Sequence, residues 1–349
     1  MTERSIVDAA ARLRKSCEPY LVATVISAPH PGARMLLTRF RWLASSASGG
    51  CLDGDWARKA WWRTRDGQAL LLSYEAGELE EDELRAAFGL DGIGAVDVLI
   101  ERAGIAGRID TLEVAERCRS GQRRGAVATI VRATSLRVGA RLALIAGAAA
   151  VEEEADALPA ELREPIAGDL RAAIETGASS VESYGDVDVL VEAIVPPPRL
   201  FLFATGHDVI PIATLAKTVG WDVVVCASEP RHAMRERFAL VDEIVVAADP
   251  ATVAARIAAA DRAVAVVAHH DGQRDRACAA ALLAIPAVRY VALLGDPGEL
   301  RDARLHVATG ATAPELALSL VADIHAALRG PARRPRPSER PSQQLAAVS

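Results

Sequence analysis

Aromatic residues are scarce in this chain: Phe, Trp and Tyr together make up 4% of 349 residues, while the apolar fraction is 51%. A core built from it therefore rests mainly on Ala, Val, Leu and Ile. Cysteine is scarce too. The five thiols, at 17, 51, 118, 226 and 278, show neither the close pairs of a structural zinc site nor the density of a disulfide scaffold. That pattern predicts a reducing, cytoplasmic home. No apolar run is long enough to span a bilayer, and the opening TERSIVDAAARLRKS is amphipathic, so neither stable membrane insertion nor secretion is expected. Positive charge is not in excess either: 40 Lys plus Arg face 46 Asp plus Glu, a formal charge of -6 that offers nucleic acid no footprint.

What is present divides the chain. Its length suggests two or three domains. Two stretches resemble each other, 21–101 and 126–192: each opens on a β-branched run, carries Gly-Ala-Arg about ten residues later (Gly32-Ala33-Arg34 and Gly139-Ala140-Arg141), and closes on VDVLIE or VDVLVE. Duplication with unequal insertions is one reading, and chance likeness of Val-rich strands is the other. Pro196-Pro197-Pro198 then reads as an extended connector over 196–199, because proline has a fixed φ and no amide donor. Beyond it RLFLFA, DVVVCA, EIVVAA, AVAVVA and YVALLG are short apolar runs without alternation, several separated by Ala-rich helical stretches, and TGHDVIPIATLAKTVG reads as a helix. Such runs indicate strands buried on both faces. The predicted class is thus α/β: a Rossmann-like parallel sheet with helices on both faces over 200–329, preceded by a strand-rich α/β region over 1–195. The tail 330–349 has the Pro, charge and small-polar bias of disorder.

Candidate chemistry gathers at three loops. Phe203-Ala204-Thr205-Gly206-His207-Asp208 lies at a strand-to-helix junction, where a dinucleotide fold carries G-x-G-x-x-G. Only Gly206 of the three glycines is present; Ala204 and Val209 hold the other positions. The DVVVCA strand continues into Ala227 and Ser228, and Glu229 comes late for a ribose carboxylate, so NAD(P) binding is not expected. Amides at that helix start remain able to hold an anion, with His207 as a donor. His269-His270-Asp271 follows another strand; a metal site there is disfavoured because adjacent side chains diverge and no distal ligand is indicated. Finally, SGGCLDGD places Cys51 among Gly49, Gly50, Asp53 and Gly54. The glycines permit close approach of backbone to a ligand, while the aspartates oppose a thiolate. A reactive thiol and a small side chain packed in a tight turn are both open readings.

SGGCLDGD, ATGHDVIPIATLAKTVGWDVVV, VAHHDGQRD, YVALLGD and TGATAPELALSLVADIHAALRG occur in one order. Together they resemble the XdhC/CoxI family, accessory proteins of molybdenum hydroxylases such as xanthine dehydrogenase and carbon monoxide dehydrogenase. The resemblance implies a non-catalytic maturation factor that binds the molybdenum cofactor as cargo, assists its sulfuration by a partner sulfurase and delivers it to an apo-hydroxylase. It implies cofactor contacts at Gly49, Gly50, Cys51, Asp53, Gly54, Gly206 and His207, no metal ligands, and leaves a homo-oligomer open. The chain departs from the family pattern at Ala204-Thr205, at Ala227-Ser228-Glu229-Pro230, at Gly89-Leu90-Asp91-Gly92-Ile93-Gly94, and at Asp296-Pro297-Gly298-Glu299, where a Ser-Arg-Arg segment is missing. Two alternatives remain: an NAD(P)-dependent oxidoreductase with His207 or His269 as acid-base group, and a scaffold that has lost cargo binding.

Overall fold

The structure is a computed structural model; it describes residues 2–26, 31–39, 42–45, 54–74, 96–154, 158–204, 206–229, 235–247, 249–308, 310 and 312–329. The Cys51 turn, apart from the backbone of Gly54, and the tail 330–349 lie outside the described residues.

Two antiparallel sheets come first. Strands β1 (Leu21–Val25), β2 (Arg34–Leu37), β3 (Trp42–Ser45), β4 (Leu70–Tyr74) and β5 (Val96–Arg102) are ordered β3-β2-β1-β5-β4. Strands β6 (Gly125–Arg132), β7 (Arg141–Ile145), β8 (Glu152–Glu153), β9 (Ser180–Tyr184) and β10 (Val187–Ile194) are ordered β8-β7-β6-β10-β9, the same topology shifted by one repeat. Helices obey the same rule. α1 (Glu3–Lys15) precedes β1 and α3 (Thr111–Gly121) precedes β6, while α2 (Gly54–Arg63) and α4 (Ala160–Thr176) each join the third strand to the fourth. Among the described residues each unit is therefore α-β-β-β-α-β-β, longer by its leading helix than the stretches matched in sequence, and chance likeness of Val-rich strands does not reproduce such an order.

The closing strands explain how the units meet. Strand residues alternate faces, so Val96, Val98 and Ile100 pack with Ala60 and Trp61 of α2, and Val187, Val189 and Val191 pack with Ile166 and Leu170 of α4. The opposite faces turn toward each other: Leu99 and Leu190, the same position in the two repeats, share one cluster with Ile26 and Val131. A slip of one residue in either strand would exchange these faces, so burial on both sides pins the register.

The third sheet is parallel. β11 (Arg199–Ala204), β12 (Asp222–Ala227), β13 (Glu243–Val246), β14 (Ala263–Ala268), β15 (Val288–Leu293) and β16 (Leu305–Val307) run in the order β13-β12-β11-β14-β15-β16. α5 (Ile210–Thr218) and α8 (Ala313–Arg329) cover one face over Leu200, Leu202, Val264 and Val266; α6 (Ala254–Ala258) and α7 (Gly272–Leu283) cover the other over Phe201, Phe203, Ala265 and Val267. This is why the strands read as unbroken apolar runs. Two details differ from the sequence reading. The three-residue β16 was not expected, being too short to carry a pattern. The helix after β11 starts at Ile210, with Pro211 in its first turn, so 206–209 form a turn and not the helix N-terminus.

Each sheet comes from one contiguous stretch of chain. α1 ties them together: Arg4 of α1 donates to the Trp221 carbonyl at 2.7 Å and to Asp222 at 2.6 Å, and pairs with Asp242. Arg14 of α1 reaches Asp110, the N-cap of α3, at 3.1 Å and Glu116 within that helix at 2.5 Å. Among the described residues no helix is long and apolar enough to cross a membrane.

Candidate functional site

The parallel sheet changes direction between β11 and β14, whose ends are paired through Ala204 and Ala268. From there the chain leaves to opposite faces, into α5 on one side and α7 on the other, which opens a crevice at the carboxyl ends of the strands. Gly206, His207 and Asp208 enter it from one loop, and His269, His270 and Asp271 from the other.

The three adjacent residues after β14 do three different things. His269 is buried, and Asp275 of α7 accepts both its backbone N–H at 2.9 Å and a hydrogen bond at Nδ1 at 2.8 Å. Nδ1 carries the proton in that arrangement, which leaves Nε2 as a buried acceptor with no partner among the described residues. Burial holds the His269 pKa below its ordinary value, with Asp275 opposing, so the ring is neutral at pH 7. His270 is exposed at φ +63° and its Nε2 lies 3.2 Å from Asp208. Asp271 caps α7 by accepting from Gln273 and Arg274 amides. Gly206 is required by this geometry: a Cβ there would lie 3.0 Å from His270 Nε2 and would overlap Asp208. His207 is exposed, and no hydrogen bond joins it to His269 among the described residues.

The crevice thus offers acceptors. Asp208 Oδ1 and His269 Nε2 are both buried and unpartnered, and a site of this kind wants hydrogen-bond donors from a ligand. It is the reverse of a phosphate loop, which is why the missing glycines matter less than the charge that replaced their role. Among the described residues no cluster of three His, Cys, Asp or Glu side chains could hold a metal ion. Cys226 and Cys278 lie buried in the sheet core, where burial pushes both thiols up to about 12, so neither is a nucleophile at neutral pH.

A second concavity lies where the two repeats, the proline connector and the parallel sheet meet. It encloses about 560 Å³ and is lined by Arg34 and Glu192 of the repeats, by Pro196 to Pro198, and by Arg262, His325 and Arg329 of the parallel-sheet domain. Where the repeats meet they exchange charges, one pair on this cavity's wall and the other outside its lining. Arg34 of the first repeat pairs at 2.5 Å with Glu192 of the second, and Arg141 of the second pairs with Glu101 of the first. The Gly-Ala-Arg triplets and the closing Glu residues, which in the sequence stand only as marks of repetition, are therefore partners across a pseudo-two-fold axis. Their opposite charges at matched positions were the available signal. Nothing in the sequence placed Asp208 against His270, 62 positions apart, or joined Arg262 to His325 and Arg329.

Comparison with known proteins gives these sites a family. A model of the XdhC and CoxI family matches residues 13–75, and a model of the XdhC Rossmann domain matches residues 200–324. The class is that of the accessory proteins of molybdenum hydroxylases, and the chain belongs to the XdhC/CoxI family. A Bacillus subtilis (strain 168) protein named as a probable xanthine dehydrogenase subunit is 28% identical over 150 residues, 39% of this chain. The match spans 45% of that relative's own length. The crystal structure of a protein described as a xanthine dehydrogenase from Bacillus halodurans superimposes with a TM-score of 0.69 at 20% identity, covering 94% of this chain and 96% of that one. It supports the fold.

Proposed function

We propose that this chain is a maturation factor that binds the molybdenum cofactor as cargo, assists its sulfuration by a partner sulfurase and delivers it to an apo molybdenum hydroxylase in the cytoplasm. The observation that carries this reading is that family models match both ends of the chain, 13–75 with the Cys51 turn and 200–324 with the crevice. In this reading residues 1–195 and 200–329 act as two domains. Gly49, Gly50, Cys51, Asp53 and Gly54 approach the cargo from one, Gly206 and His207 from the other. A neutral His269 and the Asp208 carboxylate accept hydrogen bonds, as the amino and ring N–H groups of a pterin would provide. The same acceptors oppose a pyrophosphate, which counts against the NAD(P)-dependent oxidoreductase. The test is anaerobic purification from cofactor-producing cells followed by molybdenum analysis. Wild type is expected to retain cofactor and Cys51→Ala to lose about tenfold in affinity. Equal retention by both, with equal activation of a client hydroxylase, removes the role of Cys51; hydride transfer from bound NAD(P)H overturns the reading as a whole.

A further inference from the structure

We propose that the concavity between the repeats, the proline connector and the parallel-sheet domain binds a small organic phosphate, whose phosphate group is held by Arg262, His325 and Arg329. The argument begins with which charges there are already spent. Glu3 and Glu192 line the cavity, but Arg34 takes both, at 3.0 and 2.5 Å. Arg4 is taken by Asp222 and Asp242, and Arg119 by Asp8 at 2.8 Å. What is left is a group of three at the end formed by α8 and Arg262. Asp261, the acid beside them, gives both carboxylate oxygens to Arg124 Nε at 2.9 and 3.1 Å, which leaves Arg262 at 3.8 Å from it. Arg262 Nη2 donates to the Pro196 carbonyl at 2.5 Å, while its Nε is buried without a hydrogen-bond partner. His325 and Arg329 have no hydrogen bond or ion pair among the described residues.

These groups stand close enough to act on one another. Burial lowers the pKa of His325, and Arg329 and Arg262 lower it further; burial lowers that of Arg262, with Arg124 and Arg329 adding to it and Asp261 opposing. Two guanidinium groups gathered in a concave site, whose neighbouring acid Asp261 is already engaged by Arg124, repel, and in a chain of net charge -6 such a group is not a by-product of general basicity. A dianion relieves the repulsion, and the planar guanidinium fork matches phosphate oxygens. The adjoining wall is apolar, with Ile194, Pro197, Val219 and Leu328. An apolar wall beside a cationic end suits a phosphate ester of a flat organic body. The site stands on its own charges; it rests on the carrier reading only in taking the pterin cargo, itself a phosphate ester, as one such ligand.

The whole chain is titrated by calorimetry at constant ionic strength with inorganic phosphate, pyrophosphate and, anaerobically, molybdopterin. His325→Gln/Arg329→Gln is the main variant, because both side chains are exposed and unpartnered, so its unliganded unfolding midpoint should not move; Arg262→Gln is the second. Pyrophosphate is expected to bind wild type and to lose at least about tenfold in affinity in the main variant. The proposal is overturned if none of the three probes binds more weakly to the variants. Molybdopterin, phosphate and pyrophosphate all binding equally to wild type and both variants sinks this site, and the molybdopterin binding leaves the carrier reading standing. Variant-sensitive phosphate binding without any molybdopterin binding does the opposite.

Discussion

The two repeats share strand order, helix placement and a buried charge each exchanges with the other, yet they diverge between the third strand and the helix that follows. The second repeat has GAAAVEEEADALP from before its third strand to the helix, and Glu154 just after that strand is spent on structure: it accepts the Ile109 N–H at 2.8 Å and pairs with Arg137. The first repeat has SGGCLDGD in the corresponding stretch, with glycines and a thiol in place of a buried acid. What was kept is what each half needs from the other. What changed in sequence is the stretch that carries Cys51 and its glycines.

The comparison is broken most severely at the exchanged pairs. Arg34 and Glu192 are 7% and 6% exposed, and removal of one partner leaves a buried charge unpaired. Arg34→Met and Arg141→Met should each cost about 3–5 kcal/mol in urea unfolding, while Arg34→Met combined with Glu192→Leu should recover much of the loss. Two single variants of unequal effect would show that the halves no longer share the interface evenly. Next come the glycines before each arginine. Gly32 and Gly139 have φ of +89° and +84°, where an L side chain costs about 1–2 kcal/mol. A Cβ on Gly32 meets the end of Glu192 at 2.8 Å, a side chain with some play, whereas on Gly139 it meets the Cβ of Ala69 at 2.9 Å as well as Glu101. Gly139→Ala should therefore lower the unfolding midpoint more than Gly32→Ala.

The smallest effect concerns α1, which docks on the parallel-sheet domain while its counterpart α3 does not carry an equivalent arginine. Burial alone would raise the pKa of Asp242, but hydrogen bonds from Arg4, Lys217 and the Val223 amide outweigh it and hold the group below its ordinary value. A depressed folded-state pKa means that this stabilisation is complete above about pH 4, the ordinary Asp value, and is lost as pH falls through the lower one. Stability below pH 4 should consequently fall less in Arg4→Gln than in wild type, as measured by unfolding across an acid series.

Much of the architecture was legible because it depends on local pattern. RLFLFA, DVVVCA and AVAVVA had to be strands covered on both faces, since neither alternation nor a helical stripe is present. VDVLIE and VDVLVE marked the repeats for the same reason. The helix start was misread at TGHDVIPIATLAKTVG because propensity cannot tell a turn from a first helical turn until Pro211 is placed. The crevice was legible as two loops but not as a constellation. His269, His270 and Asp271 are consecutive in sequence, and only packing against Asp275 and Asp208 gives one a buried neutral ring and its neighbour an exposed ion pair.

By itself, then, the amino-acid sequence determined the elements, the repetition and the family, because apolar periodicity and ordered motifs are local properties that survive without a partner. The tertiary structure alone decided who meets whom. Arg34 is neutralised by a glutamate 158 positions away, Gly206 makes room for a histidine in the loop after another strand, and Arg262, His325 and Arg329 come together at one end of a cavity. Charge energies fall with distance through space and not along the chain, so no local pattern could have announced them.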